Sequence, residues 1–176
     1  MSIGTNLVMA NLVMANLVMG SDGSTTLEGS SKTLSSPQDR LRFHELRAQA
    51  SAILIGGNTA RNEPYATTPL PLVVISRTGK IPESVLANPL LHLWQLDPVS
   101  AIQRAHAEFG GNILVEGGIE ILRELLAAEV IDLLFLTISA KTGGENIYDL
   151  SALTRNFTVE SSEKFGDETL LKLIRN

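Results

Sequence analysis

Three apolar runs in this 176-residue chain end in residues that could do chemistry. Asn112-Ile113-Leu114-Val115 meets Glu116-Gly117-Gly118, and Ile119-Glu120-Ile121-Leu122 then reads as the first turn of a helix. A helix that starts after two glycines leaves backbone N–H groups without intrahelical partners, and its dipole favours an anion there. Glycine lets that anion approach the backbone without meeting a Cβ. Ser51 to Ile55 likewise runs into Gly56-Gly57-Asn58-Thr59, which supplies two more glycines and a hydroxyl. Leu72 to Ser76 runs into Arg77-Thr78-Gly79-Lys80, where a hydroxyl beside two cations suits a phosphate monoester. Each stretch also fits an ordinary turn whose glycines solve a packing problem and whose charges face water. Two acids stand close to such turns: Glu116 ends one run, and Asp22 follows Gly20-Ser21 at the end of another.

Composition narrows the chemistry. Lys and Arg total 14 against 19 Asp and Glu, for a net charge of −5 with no basic run, so nucleic acid is not an expected partner. There is no cysteine, which removes disulfides, thiolate catalysis and cysteine-ligated zinc, and which suits a cytoplasmic protein. No metal site is expected. His106-Ala107-Glu108 has the H-x-E form of zinc deaminases but lacks the downstream cysteines, and it reads as a solvated helix face.

The elements that must position these residues alternate. Ser36-Pro37-Gln38-Asp39 combines an N-cap serine, a proline at the first helical position and an early acid. It predicts a helix to about Gln49, with Leu41, Phe43, Leu46 and Ala50 available for the buried side. Arg47 lies near its end, where an exposed arginine would simply suit the helix dipole. Leu90 to Leu96 predicts a strand, and Asp97-Pro98 opens a helix that Gly110-Gly111 stops. A helix ending near Ala128, a long strand from Val130 to Ala140 and a hairpin of 157–164 with 169–174 complete the chain. Alternation followed by an antiparallel close predicts an α/β fold, a mixed and mainly parallel sheet with helices on both faces. Its parallel strands would bring the turns after Ile55, Ile75 and Glu116 to one sheet edge. No G-x-G-x-x-G is present, so a standard Rossmann site is not expected.

The N-terminus repeats itself: Asn-Leu-Val-Met-Ala at 6–10 and 11–15, then Asn-Leu-Val-Met-Gly at 16–20. A five-residue period in a strand turns each copy to the opposite face. Only Asn16 to Gly20 is therefore expected to be a core strand, with 1–15 an extension and 16–176 a single domain. The asparagines interrupt any run of about 20 apolar residues, so no membrane span is expected.

Taken in order, Ser21-Asp22-Gly23, His44-Glu45-Leu46-Arg47-Ala48, Ile53 to Thr59, Asn62-Glu63-Pro64, Val73 to Arg77 and Val115-Glu116-Gly117-Gly118 resemble the reductase domain of the riboflavin-pathway bifunctional deaminase/reductase. More broadly they resemble the dihydrofolate-reductase-like superfamily. The resemblance spans about Asn16 to Asn176. It implies a three-layer α/β/α fold and NADPH-dependent reduction of a phosphoribosylamino-pyrimidine to its ribitylamino form, by a homodimer. It implies a pyrophosphate on the turn from Gly118 to Glu124, cofactor binding by Gly117 to Leu122, and cofactor contacts from Thr59 and Asn62. Ser76 and Arg77 would lie near the adenosine 2′-phosphate. Ser31, Arg47 and Glu116 match substrate-binding positions, and Asp22 matches the acid of the family's Ser-Leu-Asp-Gly motif. The acceptor would be an open-chain imine, protonated by Asp22 or Glu116 given a raised pKa; Asp22 is taken as the acid and Glu116 as the orienting group. This chain departs from the pattern after the proline. Tyr65-Ala66-Thr67-Thr68-Pro69 stands where the family has Leu-Thr-x-Arg, Asn62-Glu63-Pro64 replaces Asp-Asn-Pro, and Ser31-Lys32-Thr33 replaces Ser-x-Trp. Lys32 is a candidate to replace the missing arginine. A reductase of the same superfamily acting on another pterin or pyrimidine, or a nucleotide-binding relative without catalysis, stands beside the first reading.

Overall fold

The computed structural model describes residues 11–176. One eight-stranded sheet runs in the order β4-β3-β2-β5-β1-β6-β8-β7. Its strands are β1 (Val13–Gly20), β2 (Ala52–Gly56), β3 (Leu72–Ile75), β4 (Leu91–Trp94), β5 (Ile113–Glu116), β6 (Leu133–Ser139), β7 (Phe157–Phe165) and β8 (Glu168–Arg175). The pairings from β4 across to β6 are parallel, and β8 pairs antiparallel with both β6 and β7. The mixed sheet with its closing hairpin is the architecture expected.

Helices cover both faces because the inner strands are apolar on both sides. Alternate residues sort cleanly. Val13, Ala15, Leu54 and Val115 pack with α4 (Pro98–Phe109) and α5 (Ile119–Ala127) through Ile102, Ala105, Ile121 and Leu125. Met14, Leu114 and Phe135 pack on the other face with Leu46 of α1 (Pro37–Ala48). Ser36 caps α1 by accepting from the Asp39 N–H, and Asp97 caps α4 through the Ser100 N–H, as their sequences predict. The inner face of α1 is more polar than expected. Leu46 is buried, but Leu41 is 56% exposed, and Asp39 and Arg42 turn inward to Thr137 on β6. The Thr137 hydroxyl sets that choice, since it donates to Asp39 and accepts from Arg42.

Strand β1 starts at Val13, three residues earlier than expected, so the second repeat copy enters the sheet. The face reversal is observed: Met14 lies on the α1 side, and its counterpart Met19 lies on the α4–α5 side. The first copy lies outside the described residues. Other differences are small additions. Residues 57–62, read as a turn, form the short helix α2 (Gly57–Asn62), and α3 (Glu83–Leu86) and α6 (Leu150–Thr154) are single turns. Strand β6 begins at Leu133 because the Asp132 carboxylate accepts from the Val13 N–H, and its backbone closes the β1 and β8 ladders. Among the described residues, no helix is long and apolar enough to cross a membrane.

One feature of the topology creates a site. From β1 the chain passes through α1 to β2, on one side of β5; from β5 it passes through α5 to β6, on the other side of β1. The connections leave adjacent strands in opposite directions and on opposite faces, which is the switch-point condition for a crevice at the carboxyl edge. The ladder shows the opening: β1 and β5 pair only as far as Asn16 and Glu116, whereas β1 continues beside β6 to Gly20.

Candidate active site

The crevice is a cavity of about 1450 Å³, bounded by α1, the loop at 25–35, α2, the ends of β3 and β5, and the first turn of α5. Its floor is Glu116, which is 2% exposed. Burying a carboxylate is costly unless it is paired and hydrogen-bonded. Here Arg47 meets it with both ends of its fork, Nε to Oε1 and Nη2 to Oε2, each at 2.7 Å. The Tyr65 hydroxyl donates to Oε2 at 2.8 Å. The Arg47 guanidinium lies 4.2 Å from the Phe43 ring centre and 5.7 Å from that of Tyr65, and these contacts hold its plane in place. Burial, together with the neighbouring Glu116 charge, holds the Tyr65 phenol well above its ordinary value, so the hydroxyl is a donor. Burial opposes the Arg47 charge, but its bonds to Glu116 outweigh that cost and raise its pKa. Arg47 is therefore a half-buried partner of Glu116, not the exposed arginine of the simpler reading.

The opposite wall is backbone. Gly117 and Gly118 both take positive φ, 62° and 81°, and Gly118 caps α5 with no side chain on the helix N–H groups. A Cβ on Gly118 would lie 3.2 Å from the Thr59 hydroxyl, and one on Gly57 would lie 3.2 Å from that of Ser76. The two glycine turns thus bring Thr59 against the open start of α5 and Ser76 against the start of α2. Arg77 follows, exposed on the rim of the same cavity, with Asn62. A cradle that a Cβ would fill, open N–H groups at a helix start, two hydroxyls and a rim arginine fit a dinucleotide phosphate.

Of the residues singled out by sequence, Ser31, Arg47, Thr59, Asn62, Ser76, Arg77, Glu116, Gly117, Gly118, Ile119, Glu120 and Ile121 line this one cavity. Ser31 is anchored there by Glu63, which accepts from its N–H at 2.8 Å and from its hydroxyl at 2.9 Å. Leu122 does not line it. At 3% exposure it faces the core, as the helical period after Gly118 dictates. Asp22 is also outside the lining. Its carboxylate accepts from the Ser24 hydroxyl and N–H and from the Gly143 N–H, closing a turn against the 141–145 loop. Those donors, the Ser24 hydroxyl first, lower its pKa from 3.8 to about 2. The raised pKa expected of an acid at Asp22 is therefore corrected, because three donors hold the carboxylate in its charged form.

Tyr65 was not singled out, because an aromatic after Asn-Glu-Pro carries no local signal of a contact with a residue 51 positions away. Arg40 and His44 on α1 also line the cavity, and only their spacing from Arg47 (i, i+4, i+7) could have grouped them. His106, by contrast, faces the Gly111 carbonyl at the end of α4, and Glu108 pairs with Arg104. No group of three His, Asp or Glu is placed to hold a metal among the described residues.

The strand order, the closing hairpin and a switch-point cavity between β1 and β5 define a dihydrofolate-reductase-like fold. Over residues 11–171 the chain matches the RibD C-terminal domain, and it belongs to that family. No curated protein sequence matches it. Among solved structures, a pyrimidine reductase-like protein from Corynebacterium diphtheriae superposes with a TM-score of 0.75 at 17% identity, covering 96% of this chain and 92% of that one. A deaminase/reductase from Thermotoga maritima gives 0.67 at 20% identity, with 94% of this chain covered and 56% of that one. A dihydrofolate reductase from Enterococcus faecalis, complexed with NADP(H) and RAB-propyl, gives 0.66 at 16% identity and covers 94% and 97%.

Proposed function

We propose that the protein is an NADPH-dependent oxidoreductase that reduces a phosphoribosylamino-pyrimidine to its ribitylamino form in riboflavin biosynthesis. The observation that carries this reading is the pairing of two walls across one cavity in a chain of this family. One is an anion cradle of glycine turns, and the other is a Glu116–Arg47–Tyr65 group on a buried carboxylate. Bound NADPH supplies the hydride. Gly117, Gly118 and the first N–H groups of α5 would hold its pyrophosphate, with Thr59 and Asn62 alongside and Ser76 and Arg77 toward the 2′-phosphate. Glu116 orients the substrate, because its oxygens accept from three donors and its position is fixed by them. Lys32 and Arg40 line the α1 side and supply cationic contacts for the substrate phosphate where the family's arginine after the proline is missing, with the His44 ring beside them. The enclosing walls hold the reacting groups together and limit competing water.

The second reading is a reductase of the same superfamily with another pterin or pyrimidine substrate. The missing arginine favours it, as does the commitment of Arg47 to Glu116. Following NADPH oxidation with the deaminated phosphoribosylamino-pyrimidinedione, its unphosphorylated analogue and dihydrofolate separates the two. Turnover of the phosphorylated compound alone is expected, and turnover of dihydrofolate alone would replace the first reading with the second. Fluorescence titration tests the cofactor directly, since absence of saturable NADPH binding would sink both. The homodimer that accompanies this reading is checked by light scattering.

A further inference from the structure

Asn16 is the one polar side chain of the β1–β5 fork whose presence the cavity network does not explain. It stands in the centre of the sheet, in register with Glu116 on one side and Phe135 on the other, on the α1 face, and it lines the same cavity. Its Oδ1 is buried and has no hydrogen-bond partner among the described residues. Two buried asparagines elsewhere show what a structural role looks like. Asn112 accepts from the Leu12 N–H and donates to the Gln49 carbonyl. Asn88 accepts from the Leu90 N–H and donates to the Tyr65 carbonyl and the Thr68 hydroxyl. Each ties neighbouring connections together, and each is satisfied. A buried acceptor left unpaired is a cost to the fold, and a site where a ligand completes the bonding is where such a cost persists.

The geometry points to Asn16 as a substrate-binding residue that reads the amide edge of a pyrimidine ring, beside the Glu116–Arg47–Tyr65 group. Turned to face the ring, its carboxamide matches a ring carbonyl next to a ring N–H, donating to the first through Nδ2 and accepting from the second through Oδ1. The α1 face places it on the substrate side, away from the glycine cradle. Glu116 cannot do this reading in its place, because a carboxylate only accepts and has no donor for the ring carbonyl. The proposal rests on the pyrimidine reductase reading for its substrate, and it adds the residue that recognises the ring.

Asn16→Leu, close in size and without polar atoms, is the test. Thermal unfolding without ligand is expected to show a variant at least as stable as wild type, because an unpaired buried acceptor has been removed. NADPH affinity measured by fluorescence is expected to stay unchanged, while KM for the phosphoribosylamino-pyrimidinedione rises roughly tenfold. Free diaminouracil, which lacks both ribose and phosphate, is expected to raise the Tm of wild type and not that of the variant. A variant that is less stable with an unaltered KM would make Asn16 a structural residue and overturn the proposal. So would an equal diaminouracil shift in both proteins. If wild type ignores the phosphorylated substrate yet diaminouracil still distinguishes the two proteins, the substrate reading fails and the role of Asn16 stands.

Discussion

The two walls of the cavity are made of different material. On the side of α2 and α5 the surface is backbone, turned outward by glycines at positive φ. On the side of α1 it is a set of side chains, Arg47, Tyr65 and Glu116, drawn from positions 69 and 51 apart and held by their own hydrogen bonds. A backbone wall is fixed by local conformation and presents the same N–H groups whatever the neighbouring side chains are. A side-chain wall exists only as a network, so it changes as a unit. The first suits a constant ligand, and the second suits one that differs between relatives.

The side-chain wall should break hardest. Glu116→Ala leaves the Arg47 guanidinium, whose side chain is 14% exposed, without its anionic partner on the cavity floor. Removing one partner of a buried pair costs about 3–5 kcal/mol, and urea unfolding should show a loss of that order. Turnover should fall by roughly a hundredfold or more, the equivalent of about 3 kcal/mol. The double variant Arg47→Met with Glu116→Leu separates the two effects, since apolar residues of similar size should recover most of the stability. Activity should stay lost. Recovery of activity along with stability would mean that the pair only holds the fold together.

The backbone wall breaks differently. Gly118→Ala places a Cβ 3.2 Å from the Thr59 hydroxyl at a φ of 81°, where an L-residue pays about 1–2 kcal/mol. NADPH affinity should fall roughly tenfold while KM for the pyrimidine is unchanged. Gly110→Ala is the control: its φ is also positive, but nothing lies within 4 Å of the added Cβ, so it should lose stability with no change in cofactor affinity.

This contrast also accounts for what could be read from the sequence. Gly56-Gly57, Gly117-Gly118 and the strands before them are local patterns, and the cradle they form was legible from residue types and spacing. The caps at Ser36 and Asp97 and the hairpin at 157–175 were legible for the same reason. The network on α1 was not. Arg47 reads as an ordinary last-turn cation until tertiary structure brings Glu116 and Phe43 to it. Leu41 has the chemistry of a core residue, yet Arg42 takes the inward direction because Thr137 on a distant strand offers an acceptor. The lowered pKa of Asp22 was not legible, since a strand-end acid looks the same whether or not its oxygens are already occupied.

Tyr65→Phe removes one donor while Arg47 still satisfies both Glu116 oxygens, so its effect should be intermediate. A drop in kcat/KM of about tenfold matches a hydrogen bond to a charged group at the lower end of its range, ~1.5 kcal/mol. The pH dependence supplies a second readout. The folded state favours the protonated phenol, so its contribution is fully present below the unfolded value of 10.0 and declines as pH rises beyond it. The stability difference between wild type and Tyr65→Phe should therefore shrink above that pH. A difference that stays constant would mean the phenol contributes by packing alone.

The smallest effect on turnover should come from the other acid. Asp22→Asn keeps an oxygen for the Ser24 donors but replaces the one that accepts from Gly143 with an amide. The carboxylate's pKa is lowered from 3.8 to about 2, so its stabilising contribution is fully present above 3.8 and is lost as pH falls through about 2. Acid unfolding curves of wild type and variant should accordingly converge over that interval. The pH profile of kcat should keep its shape, because a group that is ionised throughout the working range has no proton to deliver there. If the substitution instead removes a limb of that profile, Asp22 is the proton donor, and the cavity has a third catalytic wall contributed by the loop at 141–145.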